Sequence, residues 1–286
     1  MKLAVSNIAW SPADRDAAYA ILRAAGITGL EIAPGLFFDG AADVFAPTDA
    51  EAEAALGAMR KASLELVSMQ SLLFGVEGAA LFEGEAGLDR LRAGIDRAIT
   101  LAGRVGIPNL VFGSPRQRNI PDGMDRAVAE VLAIDVFRRF GDAAARAGTR
   151  ISVEPNPAAY GANFLNRVAE AEAFVRRVAH PAITLIVDVG AMHMNGDFDS
   201  IEAVAGRAVG LVSHVHISEP NLDPAPARAD QAARVMTAMT GAGYRGWFSI
   251  EMKARPEPGL AALEVSVARL VAAAATAAQA NPTEQP

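Results

Sequence analysis

Leu211–Glu219, LVSHVHISE, is the stretch on which the reading of this chain turns, because it sets two of the four histidines two residues apart in an apolar, β-rich run. Side chains on a strand alternate, so His214 and His216 share one face while Val215 and Ile217 take the other. At roughly 3.3 Å per residue, His216 lies about 6.6 Å further toward the carboxyl end than His214. Three other short runs finish in a comparable manner: ISVE at 151–154, TLIVD at 184–188 and WFSIE at 247–251 close on Glu154, Asp188 and Glu251. Each is an apolar strand ending in a carboxylate.

Working outward, the same pattern recurs along the chain. Strands are expected at 2–5, 29–32, 64–69, 109–112, 151–154, 183–188, 211–219 and 247–251, each followed by helical periodicity or helix signals. Ser11 and Pro12 open the first helix and Gly26 stops it; Thr48 with Glu51 forms a capping box for the next. Further helices are expected at 88–105, up to Gly148, around 168–178, at 200–208, up to Thr240 and at 260–278. Eight such units in 286 residues describe an α/β chain that forms a single (β/α)8 TIM barrel over 1–278, with 279–286 a flexible C-terminal tail. The competing open, doubly wound sheet lacks support, since no G-x-G-x-x-G or Walker sequence is present.

The net charge of −7, without a basic run, argues against a nucleic-acid surface. The absence of cysteine removes disulfides, thiolate nucleophiles and Cys-type zinc sites. The N-terminal apolar run is too short for a signal peptide, and no run approaches the roughly 18 apolar residues of a membrane span, so a cytoplasmic protein with no membrane partner is expected.

In a barrel of this kind the carboxyl ends of the strands form the active face. Ser152 and Glu154 share a face, as do Thr184, Ile186 and Asp188, and Ser249 and Glu251. Carboxylates crowded there would take up protons unless a cation compensated. Each acid alone is better explained by helix capping or by pairing with Arg116, Arg118 or Lys253. Four groups in phase on separate strands favour a divalent metal held by Glu154, Asp188, His216 and Glu251. Three hard oxygens and one imidazole suit Mn2+, Mg2+, Co2+ or Zn2+.

The ISVEPNP, LIVDVGAMHMNG, SHVHISEPN and FSIEM segments, with SNIAW and FGSPRQR, resemble the sugar phosphate isomerase/epimerase superfamily of xylose isomerase-like barrels, which includes the ketose 3-epimerases. The resemblance implies a metal-dependent epimerase or isomerase of a sugar or sugar derivative. Glu154 and Glu251 would be the catalytic pair, abstracting a proton next to a carbonyl while the metal stabilises the resulting enediolate. It also implies a small carbohydrate substrate and association into a homodimer through the barrel face. Where ketohexose epimerases carry a glutamate, a histidine and an arginine, this chain has Tyr160, Ala191 and Leu222, which points away from free ketohexose. Candidate substrate contacts are Glu31, Gln70, Arg116, Tyr160, His193 and Lys253, with Arg118 as a second anion-binding arginine and Trp10 and Phe74 as aromatic walls. His180 is expected as a charge partner at a helix C-terminus on the far side of the barrel. The rival activity is a metal-dependent dehydratase of a keto sugar or inosose. A non-catalytic sugar-binding barrel and an AP endonuclease are less well supported, the latter because four histidines are too few for a three-metal cluster.

Overall fold

Eight short, mostly apolar runs pair in parallel and in chain order until the last meets the first: β1 Lys2–Ser6, β2 Gly29–Ile32, β3 Glu65–Met69, β4 Leu110–Phe112, β5 Ile151–Val153, β6 Ile183–Asp188, β7 Val212–Ser218 and β8 Trp247–Glu251. Parallel neighbours need crossover connections, and helices supply them. These are α1 Arg15–Ala24, α2 Pro34–Phe37, α3 Asp49–Lys61, α4 Gly84–Val105, α5 Arg126–Arg146, α6 Val168–Val178, α7 Val189–Asn195, α8 Ile201–Ala208, α9 Ala229–Gly241 and α10 Leu260–Ala280. The structure, a computed structural model, describes residues 1–257 and 259–281. It is a single closed (β/α)8 barrel, as expected.

Local chemistry accounts for some element boundaries. The Thr48 hydroxyl accepts from the Glu51 amide while the Glu51 carboxylate accepts from the Thr48 amide at 2.7 Å, so the expected capping box opens α3. Ser11 behaves differently from expectation. Its hydroxyl donates to Asp14 rather than capping a helix, and a 3-10 turn over Pro12–Asp14 leads into α1. The final helix runs to Ala280, two residues past the expected end, and the remainder of the expected tail, 282–286, lies outside the described residues. Helix α10 has the length and a mean hydropathy, 1.6, that would suffice for a membrane span, which amends the sequence expectation; here it packs along α9 and α1.

Apolar residues of the strands, among them Val153, Leu185, Val187, Val215, Phe248 and Ile250, belong to one continuous buried core. The barrel interior is polar instead. Asn109 donates to Ser68 and Ser152 at 3.0 and 3.1 Å and accepts from Ser213 at 2.8 Å, while Thr184 and Ser213 meet at 2.7 Å. This ring depends on a bulge. Leu185 pairs with Val212 but Ile186 pairs with His214, so Ser213 is the extra residue and both it and His214 turn inward. Strict alternation would have sent Ser213 outward.

Candidate functional site

Register at the carboxyl end of the barrel brings the strand-terminal acids together. Asp188 lies beside His216 and Ser218 beside Glu251 in the ladder, and Glu154 follows β5 immediately. His216 is completely buried at their centre. Its Nδ1 stands 3.1 Å from Glu154, 3.3 Å from Glu251 and 3.5 Å from Asp188. One donor atom from each of the four residues lies within 4.8 Å of the other three. The four candidates read from separate strands therefore meet at one point.

The surroundings aim these side chains. Asn156 donates to Glu154 Oε2 at 2.8 Å. Asp188 accepts from Ser218 at 3.0 Å and caps α7 through the Ala191 amide. Ser218 in turn accepts from the Gly190 amide at 2.8 Å, and a Cβ on Gly190 would lie 2.8 Å from the Glu219 backbone, so only glycine permits this approach. Arg118 is fully buried behind the site, donating to the Glu154 carbonyl and to Asn156 Oδ1, both at 2.8 Å. Burial pushes its pKa down to about 10. It serves the loop that carries Glu154, not an anion in solution.

Electrostatics agree with the geometry. Burial, then repulsion from Glu154 and Asp188, outweigh the attraction of His216 and raise the Glu251 carboxyl to about 7. Burial would lower the His216 pKa, but the charges of Glu251 and Glu31 and hydrogen bonds to Asp188 and Glu154 push it well above the ordinary histidine value. The donor set fits a divalent cation. Nδ1 carries at most one proton yet faces three carboxylates, and among the described residues Glu251 meets no donor but that imidazole. A cation would satisfy all four groups at once.

Above this cluster opens a cavity of about 310 Å³, a size suited to a small ligand. Tyr160 and Lys253 line it, together with Asn156, Ser218, Glu219 and Asn221, which the sequence reading missed. Tyr160, Ala191 and Leu222, the positions that depart from the ketohexose epimerases, all face it. The Tyr160 hydroxyl accepts from the Asn221 amide at 2.9 Å, and the Lys253 amide donates to the Leu222 carbonyl at 3.0 Å. These bonds hold a loop in which Asn221 and Leu222 both adopt left-handed conformations (φ 61° and 58°), a strained arrangement typical of functional loops.

Other candidates lie elsewhere. Glu31 is buried under His216, beyond reach of the cavity, and Gln70 is buried with its amide donated to Ser6 at 2.7 Å. Arg116 is exposed beside Gly161 and does not line the cavity. His193 was expected on a long loop. Instead Asp188 caps α7 directly, and His193, in its last turn, stacks on Phe198 with ring centroids 4.2 Å apart. Trp10 is buried against Tyr19, and Phe74 is exposed, packing near Gly35. His180, just after α6, meets Asp142 of α5 at 3.3 Å.

Gly113, which follows β4 within the FGSPRQR segment, is a contributor to which the sequence reading gave no role. A Cβ there would lie 2.5 Å from Glu154 Oε2 and 3.7 Å from Asn156 Oδ1. The substitution Gly113→Ala should therefore displace the Glu154 carboxylate and weaken divalent-ion binding by about 10-fold or more, comparable to loss of a ligand-orienting contact. Calorimetric titration with Mn2+ measures this, and the circular dichroism spectrum should stay unchanged.

No curated protein matches the chain. Solved structures do. A D-psicose 3-epimerase from Clostridium cellulolyticum H10, solved with D-tagatose, superposes with a TM-score of 0.74 at 16% identity, covering 98% of this chain and 99% of that one. A 3-keto-D-glucoside 4-epimerase from E. coli gives 0.72 at 18% identity over 94% and 98%. A protein described as AP endonuclease, family 2, from Brucella melitensis gives 0.66 at 23% identity over 91% and 97%. Likeness at such identities speaks for the fold alone, but the sequence pattern of one family extends over residues 19–271, and the chain belongs to that family, the xylose isomerase-like TIM barrel.

Proposed function

We propose that the protein is a divalent-metal-dependent epimerase or isomerase of a sugar or sugar derivative, Mn2+ being the first candidate ion. The observation that carries this reading is the convergence of Glu154, Asp188 and Glu251 on His216 Nδ1 at the floor of the cavity. Those four residues would hold the ion, which supplies Lewis acidity toward a carbonyl and its neighbouring hydroxyl. Glu154 and Glu251 project from strands three apart in the ring and approach the site from either side of the β6–β7 pair. One carboxylate takes the proton from the carbon beside the carbonyl, and the other returns one to the opposite face, inverting that carbon. Delivery of the proton to the former carbonyl carbon, on the face from which it was taken, would give an isomerase. Tyr160 and Lys253 contact the substrate from the cavity wall. The replacement of three polar positions by Tyr160, Ala191 and Leu222 argues for a ligand other than a free ketohexose.

A dehydratase is the second reading. The carboxylic acid formed by the first abstraction, on Glu154 or Glu251 at the cavity floor, would protonate a hydroxyl departing from the neighbouring carbon. Incubating Mn2+-loaded protein in D₂O with ketoses, their phosphates, 3-keto-glucosides and inososes separates these readings. Deuterium at a carbon next to the carbonyl is expected with at least one of them, and the product identifies epimerase, isomerase or lyase. No incorporation with any compound would leave a sugar-binding barrel as the better description.

A further inference from the structure

Glu31 ends up in a place that its own strand does not foretell. It is 185 residues from His216 in sequence, comes from a strand three away in the ring, and is completely buried. Both of its oxygens stand 3.1 Å from His216 Nε2, and Oε2 also accepts from Ser249 at 3.0 Å and lies 3.5 Å from His214 Nε2. A carboxylate taken fully out of water costs several kcal/mol unless it is hydrogen-bonded or paired. Burial would raise the pKa of Glu31, but the charges and hydrogen bonds of His216 and His214 hold it well below the ordinary value. With imidazole nitrogens of His216 and His214 and the Ser249 hydroxyl around it, Glu31 is placed as an acceptor beneath the candidate metal centre. His214 sets its ring edge-on to His216 at 5.3 Å, which further limits rotation of that imidazole.

We infer that Glu31 is a positioning residue for the candidate metal centre: by accepting the Nε2 proton of His216 it selects the tautomer that leaves the Nδ1 lone pair facing Glu154, Asp188 and Glu251. A neutral imidazole has one donor and one acceptor nitrogen. With Nε2 committed to Glu31, Nδ1 is the acceptor, and it stands at the one point the three carboxylates share. The negative charge of Glu31 also raises the basicity of the imidazole toward a cation, as outer-shell carboxylates do at histidine-ligated metals. Glu31, His214 and His216 also satisfy the spacing for a second ion. His216 Nε2 cannot serve both purposes, and its contact at 3.1 Å with both carboxylate oxygens is that of a hydrogen-bond donor.

This inference rests on the metal-centre reading, and the test separates the two. Mn2+ affinity is measured by calorimetry for the wild type, E31Q, E31L, S249A and H216A, and the His216 ring nitrogens are followed by ¹⁵N NMR in the metal-free and the Mg2+- or Zn2+-loaded protein. E31Q preserves shape but removes the charge, and should weaken binding by about 10- to 100-fold. E31L should weaken it at least as much. Loss of the Ser249 hydroxyl, which touches Glu31 but not the centre, should give a smaller loss of the same sign. The loaded wild type should show protonated Nε2 and ligating Nδ1; without metal, at a pH where the ring is neutral, the wild type should keep the proton on Nε2 and E31L should show a mixture of tautomers. Wild-type affinity in E31Q, with H216A strongly impaired, would overturn the role of Glu31 while leaving the metal centre standing. Wild-type affinity in H216A as well would remove the metal centre itself, and the inference with it. E31Q keeps the test open if E31L does not fold.

Discussion

In Glu251→Gln, deuterium incorporation by the metal-saturated protein should fall by about 10³-fold or more. A positioned acid or base alone contributes typically 10²- to 10⁴-fold, and this residue is also one of the four donors, so ion affinity should fall too. The substitution preserves volume in a site where Glu251 is buried and crowded by Glu154 and Asp188. Removing one of three mutually repelling carboxylates leaves no new buried charge, so the metal-free variant should unfold no earlier than the wild type. Exchange measured at saturating Mn2+ separates loss of the acid–base group from loss of the ion. Exchange within about tenfold of wild type under those conditions would exclude Glu251 as the proton-transfer group, since the acid–base contribution starts near 10².

The second large effect is expected in ion binding against pH. A metal ligand must shed its proton before it can coordinate. In the metal-free protein Glu251 titrates at about 7 and His216 well above the ordinary histidine value. Below about pH 7 both groups are protonated, so two protons leave on binding and the apparent affinity falls by about 100-fold per pH unit. Above about 7 only the imidazole proton remains, and the dependence relaxes to about tenfold per unit until His216 also titrates. Calorimetry with Mn2+ in buffers of different ionisation enthalpy counts these protons directly; an affinity flat from about pH 6 to about pH 8 would contradict the site as described.

The sign for stability follows from the direction of the Glu251 shift. Its folded pKa lies above the unfolded one, so the stability it contributes is fully present below the unfolded value and is lost as pH rises through about 7. A bound ion should offset that loss. The rise in Tm on adding Mn2+ should accordingly be larger at about pH 8 than at about pH 6.

What the sequence by itself determined is what short-range periodicity can carry. The eight strands, their order, and the phase of Glu154, Asp188, His216 and Glu251 follow from alternation and from acids standing where apolar runs end, both of which are local properties. Even so, the bulge at Ser213 shows that phase holds only where the ladder is regular. Tertiary structure alone decided the rest. Glu31 has the same local signature as a substrate contact, an acid on a barrel strand, and closure of the ring drops it under His216 rather than beside the cavity. His193 was misplaced because Asp188 doubles as the N-cap of a short helix, which turns that histidine onto Phe198. Gly113 and Asn156 shape the site through contact with Glu154, 41 and 2 residues away. Spacing along the chain does not encode which side chain fills the space another leaves, and in a closed barrel that is settled by the strands across the interior.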